Sequence, residues 1–206
     1  PFIGSYQSYR RLANSGMEQP QTTHSDRYNF NVAYSVSAYS KGAVFLAQLG
    51  YLIGETALDK TIKRYYKIFL FKHPTPNDFK RVAEKVSGLE LEWYLNDWTK
   101  TINTIDYSVE YNNNEVVLKR IGLIPMPLEI EVSFENGDKK LYYVPLDLMR
   151  GVKEGLDVKT SILPVWGWAN PLYSFKINSS VSVSSIMIDP SGLLADVDLA
   201  NNSISF

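Results

Sequence analysis

The sequence predicts an α+β protein with a helical first half and an all-β second half. Up to about Asn103 the apolar residues recur at helical spacing, and beyond it they alternate with a period of two. Proline and glycine punctuate the first half as helix stops, whereas Asn112-Asn113-Asn114 and Asn136-Gly137 punctuate the second as turns. The 206 residues are 45% hydrophobic and 21% charged, enough apolar material for one large domain or two small ones. We therefore divide the chain into residues 1–103 and 104–206.

Residues 1–33 are polar, with Gln19-Pro20-Gln21-Thr22-Thr23 at the centre, and read as loop plus a short helix around Tyr6–Leu12. Tyr39 to Ile53 is apolar nearly all round, the mark of a buried helix. It is too short, and too interrupted by Lys41 and Gln48, to cross a bilayer. Gly54 is placed to end it in a left-handed cap. A second helix starts near Thr56, with Leu58, Ile62, Tyr65, Tyr66 and Phe69 on one stripe and Lys60, Lys63, Arg64 and Lys67 on a solvated face. His73-Pro74-Thr75-Pro76 breaks it. Thr75 can cap the next helix, with Pro76 at its first position and Asp78 in its first turn. Phe79, Val82, Ala83 and Val86 form its apolar stripe, and Gly88 stops it. A fourth helix carries Leu91, Leu95 and Trp98 on one side.

Strands follow at Tyr107–Tyr111 and Glu115–Ile121. Leu128, Ile130, Val132 and Phe134 alternate with Glu129, Glu131, Ser133 and Glu135, a half-buried strand, and Asn136-Gly137 turns it into Lys140–Val144. Val158–Val165, Tyr173–Ile177 and Val183–Ile188 complete about seven short strands, the pattern of a β-sandwich.

A net charge of -1 points to neither a nucleic acid nor an anionic membrane as partner. The absence of cysteine excludes disulfide and thiolate chemistry. Pro1-Phe2-Ile3-Gly4-Ser5 has no basic start and no apolar core, so it is not a signal peptide; the numbering reads as beginning inside a longer protein.

Few residues are candidates for chemistry. A helical zinc pair needs a second ligand four residues away, and His24 and His73 have Pro20, Tyr28, Phe69 and Asn77 at that spacing. His24-Ser25-Asp26 spells a triad in letters, but adjacent residues cannot converge as triad members do. Asp196-Val197-Asp198-Leu199-Ala200-Asn201 starts like a calcium loop and fails at the fifth and sixth positions. Tyr34 and Tyr39, with Lys41-Gly42 after them, remain.

That segment, Val32-Ala33-Tyr34-Ser35 with Tyr39 and Lys41-Gly42 before an apolar helix ending Leu52-Ile53-Gly54, resembles the stretch after the zinc motif in gluzincin aminopeptidases, the aminopeptidase N family. Phe71-Lys72-His73-Pro74-Thr75-Pro76-Asn77-Asp78-Phe79 and Trp93-Tyr94-Leu95-Asn96-Asp97-Trp98 are similar to stretches in bacterial members. So is the tail with Ile188-Asp189-Pro190, Ala195-Asp196-Val197-Asp198 and Asn201-Asn202. The resemblance implies that residues 1–103 are the helical rear half of a thermolysin-like peptidase domain, with a β-sandwich after it. It implies a zinc metallopeptidase as the full-length parent, a hydrolase that removes N-terminal residues from peptides. In that family the tyrosine at the position of Tyr39 hydrogen-bonds the oxyanion as zinc-bound water attacks the carbonyl. A phenol with an ordinary pKa of about 10 can donate at neutral pH. A fixed donor aimed at developing negative charge is worth about 3–4 kcal/mol of barrier. Tyr34 matches a second tyrosine near the site, with packing as an equal alternative to substrate binding.

The family also needs His-Glu-x-x-His, a downstream glutamate and a group that grips the substrate amino terminus, all ahead of the tyrosine segment in family order. None is in this chain. The resemblance thus implies zinc in the parent, no metal bound by this fragment, and no hydrolysis by the fragment alone. The partners it implies are a peptide substrate and the N-terminal part of the same polypeptide, which would cover an otherwise exposed apolar surface. Two other readings stay open. One is a non-catalytic peptide- or partner-binding scaffold with a decayed zinc site. The other is a carbohydrate-binding sandwich using Trp166, Trp168 and Tyr173.

Overall fold

The computed structural model describes residues 2–206; Pro1, the first residue of the opening segment, lies outside them. The chain divides into a helical unit, running up to Asn103 and including Leu148–Gly155, and a sheet unit, Thr104–Asp147 with Leu156–Phe206. The architecture is α+β. Among the described residues no helix is long and apolar enough to cross a membrane.

In the helical unit α1 (Ile3–Ala13) is longer than Tyr6–Leu12 and buries Tyr6, Tyr9 and Leu12 on one face. A short 3₁₀ turn at Ser25–Arg27 precedes α2 (Asn31–Ser35). The chain then winds as a π-helix over Val36–Lys41 before α3 (Gly42–Ile53), so the buried helix has a different first turn from the one its composition suggests. Gly54 has φ 89° and ψ 144°, a positive φ but not the left-handed helical cap. The next helix, α4 (Glu55–Phe69), starts at once, and a Cβ on Gly54 would lie 2.7 Å from the Glu154 carbonyl oxygen. Its buried residues are Ala57 and Thr61, while Ile62 is 44% and Tyr66 65% exposed. Leu58, Tyr65 and Phe69 of the expected stripe are half-buried, Tyr65 edge-on against Phe79 at 5.1 Å, whereas Ile62 and Tyr66 face out.

Helix α5 (Pro76–Ser87) follows its capping signal: the Asp78 carboxylate accepts from the Thr75 backbone N–H at 2.8 Å and from the Thr75 hydroxyl at 2.7 Å. Those hydrogen bonds hold the Asp78 carboxyl below its usual range, the backbone one contributing most. Gly88 ends the helix with φ 73° and ψ 8°, a left-handed conformation that costs glycine nothing. Helix α6 (Glu92–Lys100) buries Tyr94, Leu95 and Trp98, and Trp98 meets Tyr9 of α1 with ring centroids 5.5 Å apart. The return segment Leu148–Gly155 joins this unit through specific bonds. Glu90 N–H donates to the carbonyl of buried Met149 at 3.0 Å, and Lys153 Nζ donates to the Tyr51 carbonyl at 2.9 Å over the Tyr51 ring.

The sheet unit has two layers. Strands β1 (Tyr107–Asn112), β2 (Glu115–Arg120) and β6 (Leu172–Lys176) form one antiparallel sheet in the order β1-β2-β6. The other runs β5 (Ser161–Ile162), β4 (Lys139–Val144), β3 (Leu128–Phe134), β7 (Val183–Ile188), β8 (Ser203–Ser205), antiparallel except for β4 against β5. The apolar alternation of β3 is the inward face: Leu128, Ile130, Val132 and Phe134 are buried. Asn113 and Asn114 both take positive φ, 50° and 62°, the requirement of a two-residue hairpin matched to strand twist. The β5 strand is shorter than Val158–Val165 because Asp157 turns the chain: its backbone carbonyl accepts from the Thr160 N–H at 2.9 Å. The short strand β8 carries two serines and no apolar alternation, and it forms by backbone pairing with β7. Tyr142 of β4 and Phe175 of β6 bring the two layers together at 5.0 Å between ring centroids.

The start of β1 is held by a buried carboxylate. Asp196 accepts from the Tyr107 N–H at 2.9 Å and from the Asp198 N–H at 2.9 Å. The Asn202 side-chain nitrogen, oriented to satisfy its neighbours, donates to the Tyr107 carbonyl at 2.6 Å and to Asp196 at 3.2 Å. Burial pushes the Asp196 carboxyl up to about 7, against the N–H donors that favour its charged form. A carboxyl raised by folding binds its proton more tightly in the native state. Its contribution is complete below the unfolded value near 4 and is lost as the pH rises through about 7. Thermal melts should therefore show stability falling between pH 4 and pH 7, and Asp196→Asn should flatten part of that slope. An unchanged slope in the variant would assign it to other groups, Asp189 first among them, whose carboxyl is also raised by burial.

Candidate functional site

The site candidates lie on a segment whose buried positions recur every four residues: Ala33, Ser37 and Lys41 face inward. A strict repeat of four overshoots the 3.6-residue α-turn, and the wider π winding of Val36–Lys41 absorbs the excess. The same winding turns Tyr39 outward, 77% exposed. Tyr34, on α2, is 43% exposed and rests its ring edge-on against Tyr28 at 5.6 Å. Phe30 and Val32, near it in sequence, are also exposed.

The inward face of the same segment carries a charge sealed from water. Lys41 Nζ contacts Glu18 Oε1 at 2.7 Å, with the two side chains 0% and 3% exposed. The ammonium also lies 6.0 Å from the ring centre of Tyr9 and 5.7 Å from that of Trp98, within the range of cation–π attraction. The loop that carries Glu18 holds the π-helix a second time: Gln21 Nε2 donates to the Ser37 carbonyl at 2.9 Å. The loop is itself anchored by Thr22 N–H on the Thr99 carbonyl at 3.0 Å. In the sequence Lys41 interrupts an apolar helix and belongs to the Tyr39-x-Lys41-Gly42 motif, with no role of its own attached to it. A lysine at that place needs a buried acid, and that requirement was the available signal; nothing in the sequence marks Glu18 as the partner.

Next to this segment α3, α5 and α6 leave an apolar groove of about 320 Å³ lined by Phe45, Leu46, Pro76, Phe79 and Leu95. Tyr94 backs it, stacked on Phe45 at 5.1 Å and donating to the Phe45 carbonyl at 2.6 Å. Burial raises the Tyr94 phenol well above its ordinary value.

The described residues do not fit a zinc ion. The exposed His24 uses Nδ1 to accept the Asp26 N–H at 3.3 Å, and His73 sits exposed in the turn between α4 and α5. Among the described residues no group of three or more potential ligands could hold a metal. In the sheet unit Trp166 is buried and meets Tyr107 and Tyr173 at 5.7 Å and 5.3 Å. Tyr173 donates to the Pro164 carbonyl at 2.8 Å, and Trp168 is half exposed.

Residues 5–98 match the family model described as "Peptidase family M1 domain". The resemblance is to M1 aminopeptidases. Over 82% of its length the chain is 25% identical to "Aminopeptidase N" of Streptomyces lividans, of which it covers 21%. Its fold is similar to that of Legionella pneumophila aminopeptidase A, solved in complex with aspartic acid, with a TM-score of 0.51 and 16% identity over 80% of this chain and 18% of that one. The chain thus spans about a fifth of the length of these relatives. The M1 match contains Glu18, Tyr34, Tyr39 and Lys41.

Removing one partner of a buried ion pair leaves the other charge uncompensated, at a cost of about 3–5 kcal/mol. Glu18→Ala should therefore lower the denaturation midpoint strongly, and Lys41→Met/Glu18→Leu should recover much of that loss. A Glu18→Ala protein as stable as the parent chain would show that Lys41 finds another partner.

Proposed function

We propose that these residues are the rear part of a zinc aminopeptidase that releases N-terminal residues from peptides. In this reading residues 1–103 complete a thermolysin-like catalytic domain and residues 104–206 form the sandwich domain after it. Tyr39 supplies the hydroxyl that donates to the oxyanion formed at the scissile carbonyl. The observation that supports this most directly is the state of Tyr39: a phenol 77% exposed, on a helical turn held from within by the Glu18–Lys41 ion pair and by Gln21 on the Ser37 carbonyl. A donor held before the reaction begins loses little on reorganisation, and that is the condition for electrostatic stabilisation of a transition state. Tyr34 lies nearby in sequence and lines the same approach to a bound peptide.

Zinc belongs to the parent in this reading. Its ligands and the general base come from outside these residues. The exposed Phe30, Val32, Tyr34 and Tyr39 are consistent with a surface that the rest of the catalytic domain and its substrate cover. The isolated chain should hydrolyse nothing.

The test is Tyr39→Phe in the complete protein, assayed on aminoacyl-anilides with metal content measured alongside. We expect kcat to fall on the order of a hundredfold, with KM little changed and zinc retained. Unchanged activity would return Tyr39 to the surface as a bystander. A complete protein with neither zinc nor activity would favour the non-catalytic peptide-binding scaffold.

A further inference from the structure

We infer that Lys41 is a positioning residue for Tyr39, acting through the buried Glu18–Lys41 ion pair and the π-helix that carries both the lysine and the tyrosine. This rests on the assignment of Tyr39 as the oxyanion donor.

An exposed side chain takes its aim from its backbone. Tyr39 has little packing of its own, so the placement of its hydroxyl depends on how firmly residues 36–41 are held. Two points hold them, one on either side of the tyrosine. Before it, the Ser37 carbonyl accepts from Gln21 Nε2 at 2.9 Å. After it, Lys41 is fixed by Glu18 at 2.7 Å and by the faces of Tyr9 and Trp98. Both anchors reach in from the same loop, which follows α1 and is tied to α6 by Thr22 on the Thr99 carbonyl.

The chemistry of the anchor explains why a charge is used there. An aliphatic side chain at position 41 would fill the space but could slide along its neighbours. An ammonium bonded to one carboxylate oxygen and faced by two aromatic rings has a single low-energy place in a dry cavity. The π winding is the less common helical state, and the anchors at Ser37 and Lys41 hold it where an α-turn would swing Tyr39 to another face. A misplacement of about 1 Å in a reacting group costs on the order of a hundredfold in rate, so loss of the anchor should be read in turnover.

The experiment is a double-mutant cycle in the complete, zinc-loaded protein: Lys41→Met, Tyr39→Phe and the two together, each with kcat, KM, zinc content and melting temperature. We expect Lys41→Met to lower kcat by tenfold or more with KM within about threefold and zinc retained. The double variant should be no slower than Tyr39→Phe alone, because a misaimed hydroxyl and a missing one lose the same interaction. Losses that multiply would overturn the inference, since Lys41 would then act independently of Tyr39. So would a Lys41→Met protein with full kcat beside a slow Tyr39→Phe. If Tyr39→Phe itself keeps full activity, the oxyanion assignment fails and the positioning role falls with it. Should Lys41→Met not fold or not retain zinc, Gln21→Ala takes its place in the cycle. It removes one hydrogen bond at a part-buried position and leaves the ion pair intact, and the same two outcomes support or overturn the anchoring of the π-helix.

Discussion

A lysine ammonium withdrawn from water must be matched by an acid, and at Lys41 that demand reaches far into the helical unit. Glu18 has to lie within bonding distance, so the loop after α1 must fold back over the π-helix. The aromatic walls come from α1 and α6, so those helices must meet there too, as Tyr9 and Trp98 do. The inward repeat of Ala33, Ser37 and Lys41 then fixes which side chains face out, and Tyr39 is among them. One buried charge thus links the packing of two helices, the path of a loop and the presentation of the tyrosine.

The sheet unit buries a charge-bearing group as well, and treats it differently. Asp196 is held by neutral donors, the backbone N–H groups of Tyr107 and Asp198 and the Asn202 side-chain nitrogen. Burial pushes its ionisation upward, and the N–H donors offset that only in part. Both devices join segments far apart in sequence, but the Asp196 arrangement is sensitive to protonation near neutrality.

The fold was legible wherever local chemistry decides it. Thr75, Pro76 and Asp78 announced α5, Gly88 ended it, and the alternation through Leu128–Phe134 marked a strand buried on one face. It was illegible where the decision is made at a distance. Leu58, Tyr65 and Phe69 of the stripe drawn on α4 do pack, but Ile62 and Tyr66 face out and the fully buried positions are Ala57 and Thr61, since closeness of approach favours small side chains. No residue type encodes a π-turn; it follows from an inward spacing of four and from two anchors in another loop. Tyr34 and Tyr39 are proposed from likeness to a family motif, whereas Glu18 becomes visible only as the thing Lys41 touches.

The return of Leu148–Gly155 to the helical unit has a consequence for modularity. The chain leaves the sheet unit after Asp147 and re-enters it at Leu156, so neither unit is one uninterrupted stretch. A segment ending at Asn103 would strip the Glu90 N–H and the Tyr51 carbonyl of their partners. A segment beginning at Thr104 would carry Met149, whose burial belongs elsewhere. A single junction therefore cannot separate the two units cleanly: any one cut leaves part of the helical unit's packing on the other piece.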